Sequence, residues 1–149
     1  MILKTTYRPA LESDLDFLLD LRVKTMNLHL INSALPISQE AHIQRIKYEF
    51  EHALIIESDR QPIGLLKIKP TQKNLDLIQI QLSPSHQGKG LGKKILEDLI
   101  QEANQTEKSI TLSVLKTNRA KNLYLHVGFK IVGETESAYL MYFKKSVSC

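Results

Sequence analysis

Apolar and polar residues change period several times along the chain, and each change marks an element. Leu3 to Arg8 alternate and stop at Pro9, which predicts an opening strand. From Glu12 to about Leu30 the spacing becomes helical, with Leu15, Leu18, Leu19 and Leu21 able to face a core. Ser13 is the expected N-cap, and Asp14 and Asp16 suit the positive end of the dipole. The four acids of this stretch, Glu12, Asp14, Asp16 and Asp20, are expected to form a solvated face. An irregular stretch containing Asn32, Ser33 and Pro36 follows, and a second helix is predicted from near Ser38, as cap, to about Glu51.

The pattern then turns to β. Ala53 to Glu57 and Ile63 to Lys69 read as a hairpin around Asp59-Arg60-Gln61-Pro62. Pro70 to Asn74 is a turn, and Leu75 to Leu82 is a further alternating strand. A long amphipathic helix is predicted from Gly90 to about Asn104, with Leu91, Ile95, Leu99, Ile100 and Ala103 on one face. Ile110 to Leu115 alternates as a strand, and Arg119 to Val127 is a short helix with Gly128 as its αL cap. Ile131 to Glu134 and Ala138 to Phe143 close the chain as a strand pair. The order β-α-α-β-β-β-α-β-α-β-β implies an α+β fold. Its mixed sheet of about seven strands is mostly antiparallel, with helices on both faces and one helical crossover joining a parallel pair. No repeat or linker interrupts it, which predicts one domain over residues 1–149.

The most informative stretch lies between the alternating strand and the long helix, Q-L-S-P-S-H-Q-G-K-G-L-G from Gln81 to Gly92. Pro84 ends the strand because it has no amide hydrogen for the sheet. Gly88, Gly90 and Gly92 permit positive φ and close backbone approach, and the unpaired amides of the next helical turn point outward. Lys89, Lys93 and Lys94 add positive charge, so the turn suits a phosphate-bearing ligand. A Walker loop does not fit the spacing, and the dinucleotide pattern fails because position 93 is lysine. By itself such a turn can also be a tight strand-to-helix connection.

The pattern Q-x-x-G-x-G, with Gln87, Gly90 and Gly92, resembles the pyrophosphate-binding motif of the GCN5-related N-acetyltransferases (GNAT). A second stretch, S-V-L-K-T-N-R-A-K-N-L-Y-L-H-V-G-F from Ser113 to Phe129, is similar to another signature of that family, and the element order also looks like its fold. The resemblance implies acetyl-CoA as co-substrate and transfer of its acetyl group to an amine. It implies that backbone groups of Ile80 and Leu82 pair with the pantetheine arm and that the amides of Gln87, Gly88, Lys89, Gly90, Leu91, Gly92 and Lys93 hold the pyrophosphate. Asn118 would contact the coenzyme near the pantetheine, and Tyr124 would stand near the sulfur as the catalytic proton donor.

That chemistry needs a donor for the tetrahedral oxyanion, for which a backbone amide near Leu82 is the family-like candidate. It also needs a proton for the leaving thiolate, and a tyrosine of ordinary pKa about 10 lies above a thiol at about 8.5. A base for the amine is harder to find. Gln79 and Gln81 occupy strand positions where some family members carry a glutamate, and amides cannot take a proton. Glu134, His126 or a water chain stay open. The absent carboxylate motivates an alternative, a non-catalytic acyl-CoA-binding or regulatory domain on the same scaffold.

Composition narrows the partners. Net charge is +4, with residues 1–60 at −2 and residues 61–149 at +6, so the half with the glycine turn is the basic one. The acidic N-terminal balance favours a cationic amine acceptor, a small molecule or a peptide side chain. Arg22, His29, Glu40, Tyr48, Glu134 and Tyr139 are candidates for its wall. There is no tryptophan and no block of basic residues interleaved with aromatics, so no nucleic-acid partner is expected. The histidines lack ligand spacing, which predicts no metal. Cys149 is the only cysteine and no apolar run reaches membrane-spanning length, giving the expectation of a cytoplasmic protein without a membrane partner. Homodimerisation is compatible with the resemblance, but no residue pattern indicates it.

Overall fold

A computed structural model describes residues 5–32, 35 and 37–145. Leu3, Lys4, Ser33, Pro36 and Cys149 lie outside the described residues, as does the side chain of His29. The strands are β1 (Thr5–Pro9), β2 (Ala53–Ser58), β3 (Gln61–Pro70), β4 (Asn74–Leu82), β5 (Ser109–Leu115), β6 (Lys130–Glu134) and β7 (Ala138–Phe143). The helices are α1 (Leu15–Asn32), α2 (Gln39–Lys47), α3 (Leu91–Gln105) and α4 (Ala120–Val127). This is the predicted element order, and the sheet has seven strands in the order β1-β2-β3-β4-β5-β7-β6. The pairs β1–β2, β2–β3, β5–β7 and β6–β7 are antiparallel. β4 and β5 run parallel because the chain returns through α3 between them.

By contact the chain divides into two compact units, Met1–Ile68 with Gln79–Gln87, and Lys69–Ile78 with Gly88–Cys149. In the first, Leu18 and Leu21 of α1 and Ile46 of α2 pack on Ala53, Ile55 and Leu65, which alternate inward from β2 and β3. Burying each large aliphatic side chain contributes roughly 1.5–3 kcal/mol. In the second unit, Ile95, Leu96, Leu99 and Ala103 form the buried stripe of α3, and Ile110, Leu112 and Val114 alternate inward along β5. Phe129 lies between Tyr124, at 5.7 Å, and Phe143, at 5.5 Å between ring centroids.

Several local expectations need correction. Ser13 does not cap α1. A 3-10 turn, Glu12–Asp14, comes first, and the Asp14 carboxylate accepts the Leu11 amide at 2.8 Å. Asp14 is also buried rather than solvated, because Arg8 grips both its oxygens at 2.8 and 2.9 Å. That guanidinium holds the Asp14 carboxyl below the ordinary carboxylate range. Ser38 does cap α2, accepting from the Ala41 amide at 3.1 Å. The helix stops at Lys47, short of Glu51, because Tyr48 turns extended and Glu49 takes a left-handed φ of 53°. The carbonyls of Arg45, Ile46 and Tyr48 at this end accept from the buried Lys67 ammonium at 3.2, 2.9 and 2.6 Å. In the hairpin only Asp59 and Arg60 form the turn. Both have positive φ, as a two-residue hairpin requires, and Pro62 enters β3 opposite the bulge at Ile56/Glu57.

Gly64 sets how closely β3 approaches the end of β4. A Cβ there would overlap the Gln81 carbonyl oxygen and lie 3.0 Å from Leu82 Cδ2. Gly64→Ala is therefore expected to lower stability by about 3 kcal/mol, since a backbone atom cannot swing aside. Urea unfolding measures it, and an alanine variant as stable as the parent contradicts the assigned contact.

Candidate functional site

β4 carries the first part of the site. Its parallel register with β5 runs from Asn74↔Ser109 to Leu77↔Leu112, so Ile80 and Leu82 lie past the last pair of that ladder. Gln79 and Gln81 point to the buried side of the strand, 8% and 7% exposed, and Gln79 Oε1 is enclosed without a hydrogen-bond partner. A buried amide oxygen left so is an acceptor awaiting a donor. After Leu82 the chain is tied back tightly. The Ser83 amide donates to the Ile63 carbonyl at 2.8 Å, and the Ser83 hydroxyl lies 2.8 Å from His86 Nδ1. Pro84 opens a 3-10 turn, Pro84–His86, and the Gln87 side-chain amide donates to the Leu82 carbonyl at 2.9 Å. Gln87 thus locks the turn to the strand end, a role its position in the motif did not disclose.

The chain then enters the glycine turn. Gly88 and Gly90 take φ of +73° and +82°, left-handed values that cost most side chains about 1–2 kcal/mol. A Cβ at either would meet nothing within 4 Å, so the glycines serve backbone conformation and not a packing constraint on that side. Gly90 is the N-cap of α3 and supplies no side-chain cap, and the first helical turn contains no acid. The amides of Leu91, Gly92 and Lys93 precede the first intrahelical bond, Lys94 N to Gly90 O at 3.1 Å. Lys89 and Lys93 are exposed beside them, while Lys94 reaches Asp98 at 3.5 Å. Uncapped amides at the positive end of a 15-residue helix, flanked by lysines, are suited to bind an anion.

Two further predicted residues sit after β5. The Asn118 side-chain oxygen accepts the Ala120 amide at 2.9 Å and so starts α4, which leaves its NH2 as the group available to a ligand. Tyr124, on α4, is 6% exposed and packs on Phe129. Burial pushes its phenol above the ordinary tyrosine range, so it stays a neutral donor at physiological pH.

The other candidates divide. Glu134 is held by Lys116 at 2.5 Å, which makes it a poor free base. Lys116 and Lys121 also stand 5.3 and 5.1 Å from the Tyr139 ring centre. His126 is exposed and, with Lys93, lines a groove of about 690 Å³ between α3 and the end of α4. Glu40 is exposed at the start of α2, and Tyr48 carries Arg45 over its ring at 5.1 Å. Sequence spacing also missed a cluster in which ligand atoms of Glu49, Glu51 and His52 lie within 4.8 Å of one another. His52 Nε2 stands 3.8 and 3.9 Å from the two carboxylates there. Arg22 is buried and bonded to His42, a contact between α1 and α2 that no periodicity signals.

The family model described as "Acetyltransferase (GNAT) domain" matches residues 32–140. A relative from Salmonella typhimurium, L-methionine sulfoximine/L-methionine sulfone acetyltransferase, is 35% identical over 57 residues, 37% of this chain and 33% of the relative. The L-amino acid N-acyltransferase MnaT of Escherichia coli matches with the same identity and the same shares of each chain. The chain thus spans about a third of the length of these curated relatives. Among solved structures, the PaiA N-acetyltransferase of Thermoplasma acidophilum in complex with coenzyme A superposes with a TM-score of 0.73. That match is 18% identical and covers 96% of this chain and 99% of the other, a likeness of fold. A family model that takes in most of the chain, on this fold and with this glycine turn, shows that the chain belongs to the GNAT acetyltransferase family.

Proposed function

We propose that this chain is an acetyl-CoA-dependent N-acetyltransferase that passes an acetyl group to a primary amine by direct attack on the thioester. The observation that carries the reading is the uncapped, lysine-flanked N-terminus of α3 behind two left-handed glycines that leave open space. It suits the coenzyme's pyrophosphate, and the relative crystallised with coenzyme A has the same fold. Ile80 and the Leu82 amide lie past the β5 ladder and are proposed to pair with the pantetheine arm, the Leu82 carbonyl being held by Gln87.

In the reaction the neutral amine attacks the thioester carbonyl, and an N–C bond forms as the carbonyl becomes an oxyanion. A backbone amide near Leu82 is the proposed donor to that oxyanion. The intermediate collapses, the C–S bond breaks, and the sulfur takes a proton from the Tyr124 hydroxyl, which regains one through water as the products leave. Burial that keeps the phenol neutral also penalises a bare thiolate, so hydrogen bonding and proton transfer act together at sulfur. The amine's proton leaves through water in this reading, because Gln79 and Gln81 are amides and Glu134 is occupied by Lys116. No helix among the described residues is long and apolar enough to cross a membrane, and we place the reaction in a reducing, cytoplasmic compartment on the single cysteine. We treat the two compact units as one catalytic domain, since the family model runs through both.

Thermal unfolding tests coenzyme binding. Acetyl-CoA at about 100 times its Kd adds roughly 2.7 kcal/mol to the folded state. For a chain of this size that raises Tm by about 5–10 °C. No rise at saturating acetyl-CoA contradicts the proposed cofactor.

A further inference from the structure

Arg22 lies on α1 one turn beyond Leu18, and its side chain is 7% exposed. A guanidinium so buried requires acceptors around its whole fork or a compensating anion. One edge is provided for. Arg22 Nε donates to His42 Nδ1 at 3.0 Å, so the imidazole proton sits on Nε2, which donates to Asn27 Oδ1 at 2.7 Å. The ring is a neutral partner, and burial together with the Arg22 charge holds His42 below the ordinary histidine range. It brings no negative charge.

The charges acting on Arg22 and Lys67 are of the same sign except for Glu49, which acts on Lys67. Burial and Arg45 push Arg22 down to about 10, and Arg45 and Arg22 both act on Lys67. Three of the acids of residues 1–60 are engaged elsewhere. Arg8 holds Asp14 and Glu57, and Asp20 pairs with Lys24 at 2.8 Å. Among the described residues no carboxylate pairs with Arg22, and no acceptor is bonded to either Nη. Nor is that edge sealed, because Gln79 Oε1 is the one enclosed side-chain polar atom without a partner among them. Lys67 spends its ammonium on three carbonyls and Arg45 lies over Tyr48, which leaves a single planar fork open.

We propose that the open Nη edge of Arg22 receives the carboxylate of the amine acceptor, so that the substrate is an amino acid or an amine of similar form. The inference rests on the transferase reading above and gives its acceptor a chemical class. A carboxylate meets the fork with two parallel charge-assisted bonds, a geometry that an ammonium group cannot offer. One fork matches one singly charged, planar anion better than a phosphate. The acidic balance of residues 1–60 then says little about the substrate, since several of those acids are engaged in ion pairs within the fold.

The test compares amino acids with their own carboxamides as acceptors, in the parent, Arg22→Met and Arg22→Lys. The parent is expected to favour the acids. Arg22→Met should cut kcat/KM for the acids by about 100-fold, chiefly through KM, from two lost charge-assisted bonds. The same change should move the carboxamides by less than about 3-fold, and Arg22→Lys should fall between. Arg22→Met also leaves His42 Nδ1 without its donor, so Tm is expected to fall, while the rise of Tm with acetyl-CoA should hold and shows that the variant is folded and loads the coenzyme. A parent that prefers carboxamides, simple amines or phosphorylated amines overturns the inference, as does an equal loss on both members of each pair. If no amine turns over, binding of an N-acetylamino acid and of its carboxamide to the coenzyme-loaded protein decides. Arg22-dependent preference for the acid upholds the carboxylate site while the transferase reading falls, and equal binding overturns the site.

Discussion

Gly90→Asp is expected to remove acetyl-CoA binding while the protein stays folded. Gly90 has a φ of +82°, and aspartate is among the few residues that visit this region at modest cost. A side chain added there meets nothing within 4 Å, so no packing is disturbed. At the N-cap of α3 an aspartate even complements the helix dipole and the free amides. The same carboxylate occupies the amides intended for the pyrophosphate and repels its charge. Two unit charges about 4 Å apart near a protein surface interact by roughly 4 kcal/mol. Affinity should therefore fall by at least about 100-fold. Calorimetric titration measures it, with circular dichroism as the check on folding. A folded variant that titrates like the parent shows that the coenzyme is not held at this turn.

Tyr124→Phe should lower kcat by about 100-fold and leave coenzyme affinity within about 2-fold, the range expected when one positioned proton donor is lost. The ring packing on Phe129 survives the substitution, so the protein should fold as before. Because burial raises the phenol, Tyr124 is protonated across the neutral range and its own ionisation should not shape the pH profile there. Steady-state turnover with saturating amine, alongside coenzyme titration, reads both quantities. Unchanged turnover removes Tyr124 from the mechanism.

The fold was legible because the apolar period states it directly. Strand alternation at Leu75 to Leu82 and the apolar face of α3 need only local sequence to recognise; the strand stands as expected, while on α3 Leu96 is buried and Ile100 is only partly so. Boundaries failed where a tertiary contact intervened. Arg8 turns Asp14 from a surface acid into a buried cap, and Lys67 closes the end of α2 through the Ile46 carbonyl, 21 residues away. Asp59 and Arg60 take positive φ without glycine, which hid the tight hairpin behind Pro62. The glycine turn was readable because positive φ and uncapped amides leave a compositional trace. The Arg22–His42–Asn27 chain was not, since it joins two helices through residues that share no period. The lock from Gln87 to Leu82 needs the turn's geometry before it can be seen.

The most direct measurement is transfer itself. The purified protein is incubated with acetyl-CoA and a panel of amino acids, amino-acid amides and polyamines, with free thiol and acceptor mass followed together. The structure leads us to expect thiol release that depends on amine and matches, mole for mole, an acceptor heavier by one acetyl group. Coenzyme that binds and shifts Tm but is never cleaved in the presence of any amine would contradict the enzyme reading, while leaving the glycine turn as a binding site.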